Sequence, residues 1–301
     1  MPDTVSGQAI YEWRTWAAQL ARPSNVDPFE IDWLLQGVTS LTSSALRLET
    51  YRSKENIPIA LSLEELTRKW QQRITERVPV QYLVGETPWR DLMLTVTPDV
   101  LIPRPETELI IEIALDLAQQ SSTKEKILVG HWADLGTGSG AIALSLAKRL
   151  PIATIHATDI SSAALTVAKS NAQKNNLADR IVFYKGSWLT PLEPLKGNLS
   201  AIISNPPYIP THTVLTLQPE VTKHEPHIAL DGGPDGLDSL KHLIINSANY
   251  LHPGGLFLTE LMIGQAETVA DLLAYQNEYA QIVIHKDLSG TQRFVSARKD
   301  L

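Results

Sequence analysis

From residue 126 onward, short apolar runs alternate with stretches of helical period, and no other feature restricts the fold as tightly. ILVGHWADLG, ATIHATDI, RIVFYKG, LSAIISN, GLFLTEL, AQIVIH and RFVSA read as strands. AIALSLAKRL, SAALTVAKSNAQKN and the segments near Leu237 to Leu251 and Gln265 to Tyr275 read as helices. Alternation of this kind calls for an α/β fold, a mostly parallel sheet with helices on both faces.

The N-terminal part has a different texture. Over residues 1–78 the apolar residues recur at helical spacing, as in Ile10, Trp13, Ala17 and Leu20, or Ile31, Leu34, Leu35 and Val38. Ser62 followed three residues later by Glu65 has the form of a capping box, and Leu63, Leu66, Trp70 and Ile74 continue one apolar face. A small helical domain follows from this, with Trp13, Trp16, Trp33 and Trp70 as packing residues. Residues 79–100 carry the β-like runs YLVG and LMLTV between Gly85, Pro88 and Asp91, which reads as a β-hairpin linker. The third segment, 101–301, opens with Pro103 and Pro105 ahead of the helical pattern Leu109, Ile110, Ile113 and Leu117, where proline costs no intrahelical hydrogen bond.

Composition narrows the functional classes. The chain carries a net charge of −7, and residues 1–85 hold 9 Lys and Arg against 10 Asp and Glu, so no basic face suited to many phosphates is expected. Cysteine is absent, which removes disulfides, thiolate nucleophiles and thiolate-bound metals. The first residues lack a basic n-region and an apolar h-region, and no apolar run is long enough to span a membrane, so a cytoplasmic chain is expected. His224 and His227 have an H-x-x-H spacing, but prolines interrupt any helix there, and no metal site is expected.

Two stretches carry the chemistry. Asp134-Leu135-Gly136-Thr137-Gly138-Ser139-Gly140-Ala141 ends the first strand and opens a helix, and its glycines allow a tight turn against a ligand. Asp159 ends the next strand, where a carboxylate can accept both hydroxyls of a ribose. Gly136, Gly138 and Ala141 also satisfy a dinucleotide pattern, so the choice between a dinucleotide and S-adenosylmethionine stays open on these residues. The second stretch, Ser204-Asn205-Pro206-Pro207-Tyr208, leaves a buried strand at its carboxyl end. There the Asn205 side-chain oxygen and the Pro206 carbonyl can each accept one hydrogen of a planar NH₂ group, with Tyr208 against its face. Such a pocket selects amide or amino nitrogens, and its acceptors stabilise positive charge growing on a nitrogen under methylation.

These residues, together with VPVQYLVGE at 78–86, VLIPRPETE at 100–108 and HEPHIALDGGPDGL at 224–237, resemble the protein-(glutamine-N5) methyltransferases that modify peptide chain release factors. His224, Trp89 and the order Glu260-Leu261-Met262-Ile263-Gly264-Gln265 depart from that family's usual residues. The resemblance implies a class I, Rossmann-like methyltransferase domain using S-adenosyl-L-methionine, and a helical domain that helps dock the release factor. It places Gly136, Thr137, Gly138, Ser139, Gly140, Asp159, Trp188 and Asn205 at the cofactor, with Trp188 near the adenine. Asn205, Pro206, Pro207 and Tyr208 would hold the substrate glutamine, with Asn205, Pro206 and Tyr208 serving catalysis. The expected partner is a release factor, with no nucleic acid and no membrane, and the expected state a monomer. Alternatives are a glutamine methyltransferase acting on a ribosomal protein, a nucleic-acid amino-methyltransferase, and a non-catalytic binding module.

Overall fold

The structure, a computed structural model, describes residues 3–300. The chain divides into one unit of residues up to 86 together with 219–224, and a second of 87–218 with 225–301.

In the first unit β1 (Asp3–Val5), α1 (Gly7–Ala21), α2 (Phe29–Val38), α3 (Ser43–Leu48), β2 (Ile57–Ile59), α4 (Leu63–Thr75) and α5 (Val80–Val84) follow one another. The helices pack as their periodicity predicts, and β1 and β2 add a small antiparallel pair that the periodicity did not suggest. The capping box at α4 is made in both directions, Glu65 N donating to Ser62 Oγ and Ser62 N to the Glu65 carboxylate. Trp13 and Trp70 are buried, Trp16 and Trp33 pack partly buried against the same core, and Trp70 Nε1 donates to the Ala17 carbonyl at 3.1 Å. The run YLVG, expected as β-like, is instead the end of α5. A short apolar run fits either element by pattern alone, and burial of Val80 and Leu83 against the helical core decides it, with Gly85 at φ +84° ending the turn.

The hairpin β3 (Glu86–Trp89) and β4 (Leu92–Thr95) starts at the last residue of the first unit and otherwise belongs to the second, followed by α6 (Leu109–Gln120) and α7 (Lys124–Val129). Then come β5 (His131–Leu135), α8 (Ala141–Arg149), β6 (Thr154–Asp159), α9 (Ser162–Lys174), β7 (Ile181–Lys185) and β8 (Leu199–Ser204). The remainder is α10 (Thr211–Val214), α11 (Pro219–His224), α12 (Asp238–Ser247), β9 (Leu251–Glu260), α13 (Ala266–Tyr275), β10 (Tyr279–Lys286) and β11 (Gln292–Lys299), of which α11 belongs to the first unit. Glu220 on α11 pairs there with Arg73 at 2.8 Å and Arg77 at 2.6 Å, while Arg73 also meets Glu30. The first half of ILVGHWADLG, expected in the strand, is helical: Trp132 Nε1 donates to the Ile127 carbonyl at the end of α7, and the strand starts only at His131.

Seven strands form one sheet in the order β10-β11-β9-β8-β5-β6-β7, in which β11 runs antiparallel to both of its neighbours and the other strands run parallel. Apolar side chains fill both faces. Trp132 and Ile155 pack with α6 and α8 on one side, whereas Ala133, Ile202 and Phe257 pack with α12 and α13 on the other. Since β5 neighbours both β6 and β8, the strand order reverses there, and the crevice for a ligand opens at the carboxyl ends of those strands. Among the described residues no helix is long and apolar enough to cross a membrane.

Candidate active site

Register brings the two chemical stretches together. Leu135 pairs with Thr158 on one side and Ser204 on the other, so the glycine loop and the Asn205 loop leave the sheet at one level. Ser204 Oγ donates to the Leu135 carbonyl at 2.7 Å, tying the two departures to each other.

The glycine loop is held from below. Gly136 N and Thr137 N both donate to the Thr158 carbonyl, and Asp134 Oδ2 accepts from Thr137 Oγ1 at 2.6 Å and Ala143 N at 3.0 Å. Gly136 sits at φ +75°, and a Cβ there would come within 3.3 Å of the Trp188 ring. Gly140, at φ +86°, lies against Leu144 and Ala168, where a Cβ would clash at 2.7 Å, so only glycine lets α8 start this close to α9. Asn171 on α9 is buried, donates to the Ser139 and Thr95 carbonyls and accepts from Thr95 N, which joins the loop to the β4 hairpin.

Asp159 accepts one backbone hydrogen bond on each oxygen, from Ser161 N at 2.8 Å and Gly138 N at 2.9 Å. It lines a cleft of about 260 Å³ together with Gly136, Gly138, Trp188, Asn205 and Pro207. The sequence had not singled out the rest of that wall. Asp99 to Leu101 contribute from the segment ahead of Pro103, and Ile160 and Ile228, 55% and 61% exposed, present apolar surface to it. An apolar residue directly after the ribose-type acid was the available signal for Ile160. Thr137 and Ser139 are buried and, like Gly140, Pro206 and Tyr208, do not line the cleft.

Asp134 is fully buried and its Oδ1 has no hydrogen-bond partner. Desolvation raises its carboxyl to about 7, against hydrogen bonds from Thr137 and Ala143 that favour the anion, with the charge of Asp159 adding to the rise. An acid raised this way contributes stability that is full below its unfolded value and is lost as pH rises through about 7. The stability of the chain relative to Asp134→Asn is therefore expected to fall by about 2 to 3 kcal/mol between about pH 5 and about pH 8. Denaturant unfolding of both proteins at the two pH values checks this, and a constant difference refutes it.

In the second loop, Asn205 Nδ2 donates to Thr107 Oγ1 at 3.2 Å, and no hydrogen bond to the Pro206 carbonyl is made among the described residues. Tyr208 is held by its hydroxyl, which donates to Glu260 Oε1 at 3.0 Å, and by its carbonyl, which accepts from Gln265 Nε2 at 3.0 Å. Burial raises the Tyr208 hydroxyl and pushes the Glu260 carboxyl up to about 7, against hydrogen bonding from Thr107 and Tyr208. The 224–237 stretch backs this loop. Ile209 N donates to the Leu230 carbonyl, Gly232 N donates to the Ile209 carbonyl, and a Cβ at Gly232 would strike Pro207 and Tyr208 at 2.8 Å. Buried Glu225 accepts from Ile102 N and pairs with Arg104 at 2.5 Å, which fixes the segment 102–104 on the same side. His224, on α11, has its Nε2 2.8 Å from the Glu76 carbonyl within the first unit. The resulting arrangement places a polar acceptor, Asn205, on the wall of a nucleoside-sized cleft beside a glycine loop.

Comparison with known proteins bears on the family and the fold. The model of the methyltransferase small domain matches residues 117–224. The chain is 50% identical to a release factor glutamine methyltransferase of Synechocystis sp., over 98% of this chain and 97% of that one. It is 42% identical to the protein of that name from Moorella thermoacetica, over 90% and 91%, and 36% identical to the one from Bradyrhizobium diazoefficiens, over 99% and 97%. Among solved structures, the hMettl16 catalytic domain in complex with MAT2A 3'UTR hairpin 6 superposes with a TM-score of 0.55 at 14% identity, covering 94% of this chain and 91% of that one, which supports the class I methyltransferase fold. The seven-stranded sheet, the paired loops at its switch point and relatives matching nearly end to end lead to one assignment: the chain belongs to the release factor glutamine methyltransferase family.

Proposed function

We propose that this chain methylates the side-chain nitrogen (N5) of the glutamine in the Gly-Gly-Gln loop of a peptide chain release factor, giving N5-methylglutamine. One observation carries the reading: Asn205, with its NH₂ group committed to Thr107, stands on the wall of the cleft bordered by Gly136, Gly138 and Asp159.

The residues fit S-adenosylmethionine. Each Asp159 oxygen keeps a lone pair for a ribose hydroxyl after accepting its backbone N–H, and Trp188 with Ile160 offers apolar surface for an adenine. Gly136 leaves room beside Trp188. When bound, S-adenosylmethionine supplies an electrophilic methyl sulfonium.

A carboxamide nitrogen is a poor nucleophile because its lone pair is delocalised into the carbonyl. In this reading Asn205 Oδ1 accepts one of its hydrogens and so stabilises the charge that grows on nitrogen, while the second acceptor, the Pro206 carbonyl, lies behind the cleft wall until the substrate loop enters. The two prolines fix the backbone of that acceptor pair, and Glu260 and Gln265 hold Tyr208 beside it. The helical unit is assigned to docking the release factor, a role suited to its exposed apolar side chains Phe29 and Leu48. The test is transfer of a labelled methyl group from S-adenosylmethionine to a purified release factor, located by mass spectrometry. Modification of the loop glutamine is expected, and equal labelling of a release factor with that glutamine replaced overturns the reading.

A further inference from the structure

We propose that Glu225 is a positioning residue for the cofactor: by binding both the Ile102 amide and the Arg104 guanidinium, it clamps the segment ahead of Ile102 into the wall of the cleft and so sets the affinity for the nucleoside. The inference rests on the methyltransferase reading and adds the residue that joins two distant parts of its cofactor site.

Two stretches far apart in sequence line that cleft, both within the second unit. Asp99 to Leu101 lie directly before Ile102, and Pro226, Ile228 and Asp231 lie directly after Glu225. Residues 96–104 belong to no helix or strand, so no ladder of backbone hydrogen bonds fixes their course, and Pro103 has no N–H to contribute. Val100 and Ile102 are buried, but apolar contacts carry no direction and tolerate a slide along the wall. Glu225 supplies the direction. Its Oε2 accepts from Ile102 N at 3.2 Å, its Oε1 accepts from Arg104 Nη2 at 2.5 Å, and its side chain is 1% exposed. The Arg104 carbonyl in turn accepts from Trp89 Nε1 at 3.3 Å, so the segment is held on two sides. Pro226, next to the acid, leads into the short turn His227–Ala229, which ties the clamp to the Ile228 side of the cleft.

A buried carboxylate needs both oxygens engaged, and here each has its own donor. A glutamine in its place has one oxygen. If that oxygen keeps Ile102, the NH₂ group faces the Arg104 guanidinium; if it keeps Arg104, the NH₂ group faces the Ile102 N–H. In both cases a donor confronts a donor, and the segment ahead of Ile102 must shift.

The experiment compares the wild type with Glu225→Gln, Arg104→Met and Arg104→Lys. Isothermal titration gives the Kd for S-adenosylhomocysteine, and NMR follows hydrogen–deuterium exchange at the amides of Ile102 and of Ala157, which lies in β6 between β5 and β7 and reports global opening. Glu225→Gln is expected to raise Kd about 5- to 20-fold and to speed exchange at Ile102 about 10- to 100-fold more than at Ala157. Arg104→Met is expected to act in the same direction. Arg104 reaches Glu225 through a single nitrogen, so Arg104→Lys is expected to return Kd to within about three-fold of wild type. Saturating S-adenosylhomocysteine should bring Ile102 exchange in Glu225→Gln back toward the wild-type rate, because a ligand that needs the wall in place holds it there in return. An unchanged Kd in Glu225→Gln, Ile102 exchange that rises only in step with Ala157, or Arg104→Lys as impaired as Arg104→Met overturns the proposal. A wild-type chain that binds no S-adenosylhomocysteine, or binds it and leaves a release factor unmodified, refutes the functional reading separately, since the exchange rates still decide whether Glu225 clamps the segment.

Discussion

Replacing Asn205 by alanine is expected to lower kcat for methyl transfer to a release factor by about 10²- to 10³-fold while the Kd for S-adenosylhomocysteine stays within about three-fold. The side chain stands on the cleft wall with its nitrogen engaged by Thr107, so its oxygen is the group available to the acceptor amide. Losing it removes an interaction that strengthens as charge develops on nitrogen, which reduces kcat and kcat/KM together. The fold should tolerate the change. Asn205 is only partly buried, its hydrogen bond to Thr107 is worth about 1 kcal/mol, and the brace beneath it runs from Ser204 to Leu135. Asn205→Asp tests the same point more sharply, because a carboxylate accepts hydrogens yet can no longer donate to Thr107 and adds a second negative charge near Glu260. It too is expected to be nearly inactive. Steady-state kinetics beside calorimetric titration separates the outcomes, and cofactor affinity falling in step with activity would show Asn205 to be chiefly a cofactor ligand.

The parts of this architecture that were legible in the sequence are those where local pattern and burial agree. β5, β6 and β8 are buried on both faces and end in Leu135, Asp159 and Ser204, and their carboxyl ends could be aligned once a parallel sheet was assumed. Local pattern failed where a short apolar run takes its conformation from tertiary contacts. YLVG became helical through burial of Val80 and Leu83, and ILVG through the bond from Trp132 back to Ile127. Nothing in the local pattern of residues 219–224 ties them to the N-terminal helices, although Glu220 pairs with Arg73 and Arg77 in the first unit. The supporting residues of the site were hidden for a related reason. Thr107, Asn171 and Glu260 act through partners 98, 76 and 52 residues away, separations over which no periodicity carries information.

Asp159→Asn is expected to show the opposite kinetic pattern from Asn205→Ala, raising the Kd for S-adenosylhomocysteine about 30- to 100-fold while kcat at saturating S-adenosylmethionine changes by less than about five-fold. Both carboxylate oxygens accept a backbone N–H, one from Gly138 in the glycine loop and one from Ser161. A carboxamide can serve only one of them, because its NH₂ would confront the other donor. If it turns toward Ser161, the start of α9 is kept and the Gly138 amide is left unpaired; if it turns toward Gly138, the loop is kept and the helix entry loosens. In either case a ribose loses an anionic acceptor, and a charge-assisted hydrogen bond is worth about 1.5 to 3 kcal/mol. Asn205 and Pro206 leave β8, whereas Asp159 ends β6 on the far side of β5, so a chemical step centred on Asn205 should survive once the site is filled. Isothermal titration and kinetics at saturating cofactor measure the two quantities independently. An unchanged Kd with kcat lost would mean that Asp159 acts on the transferring group, and would remove the ribose from its assignment.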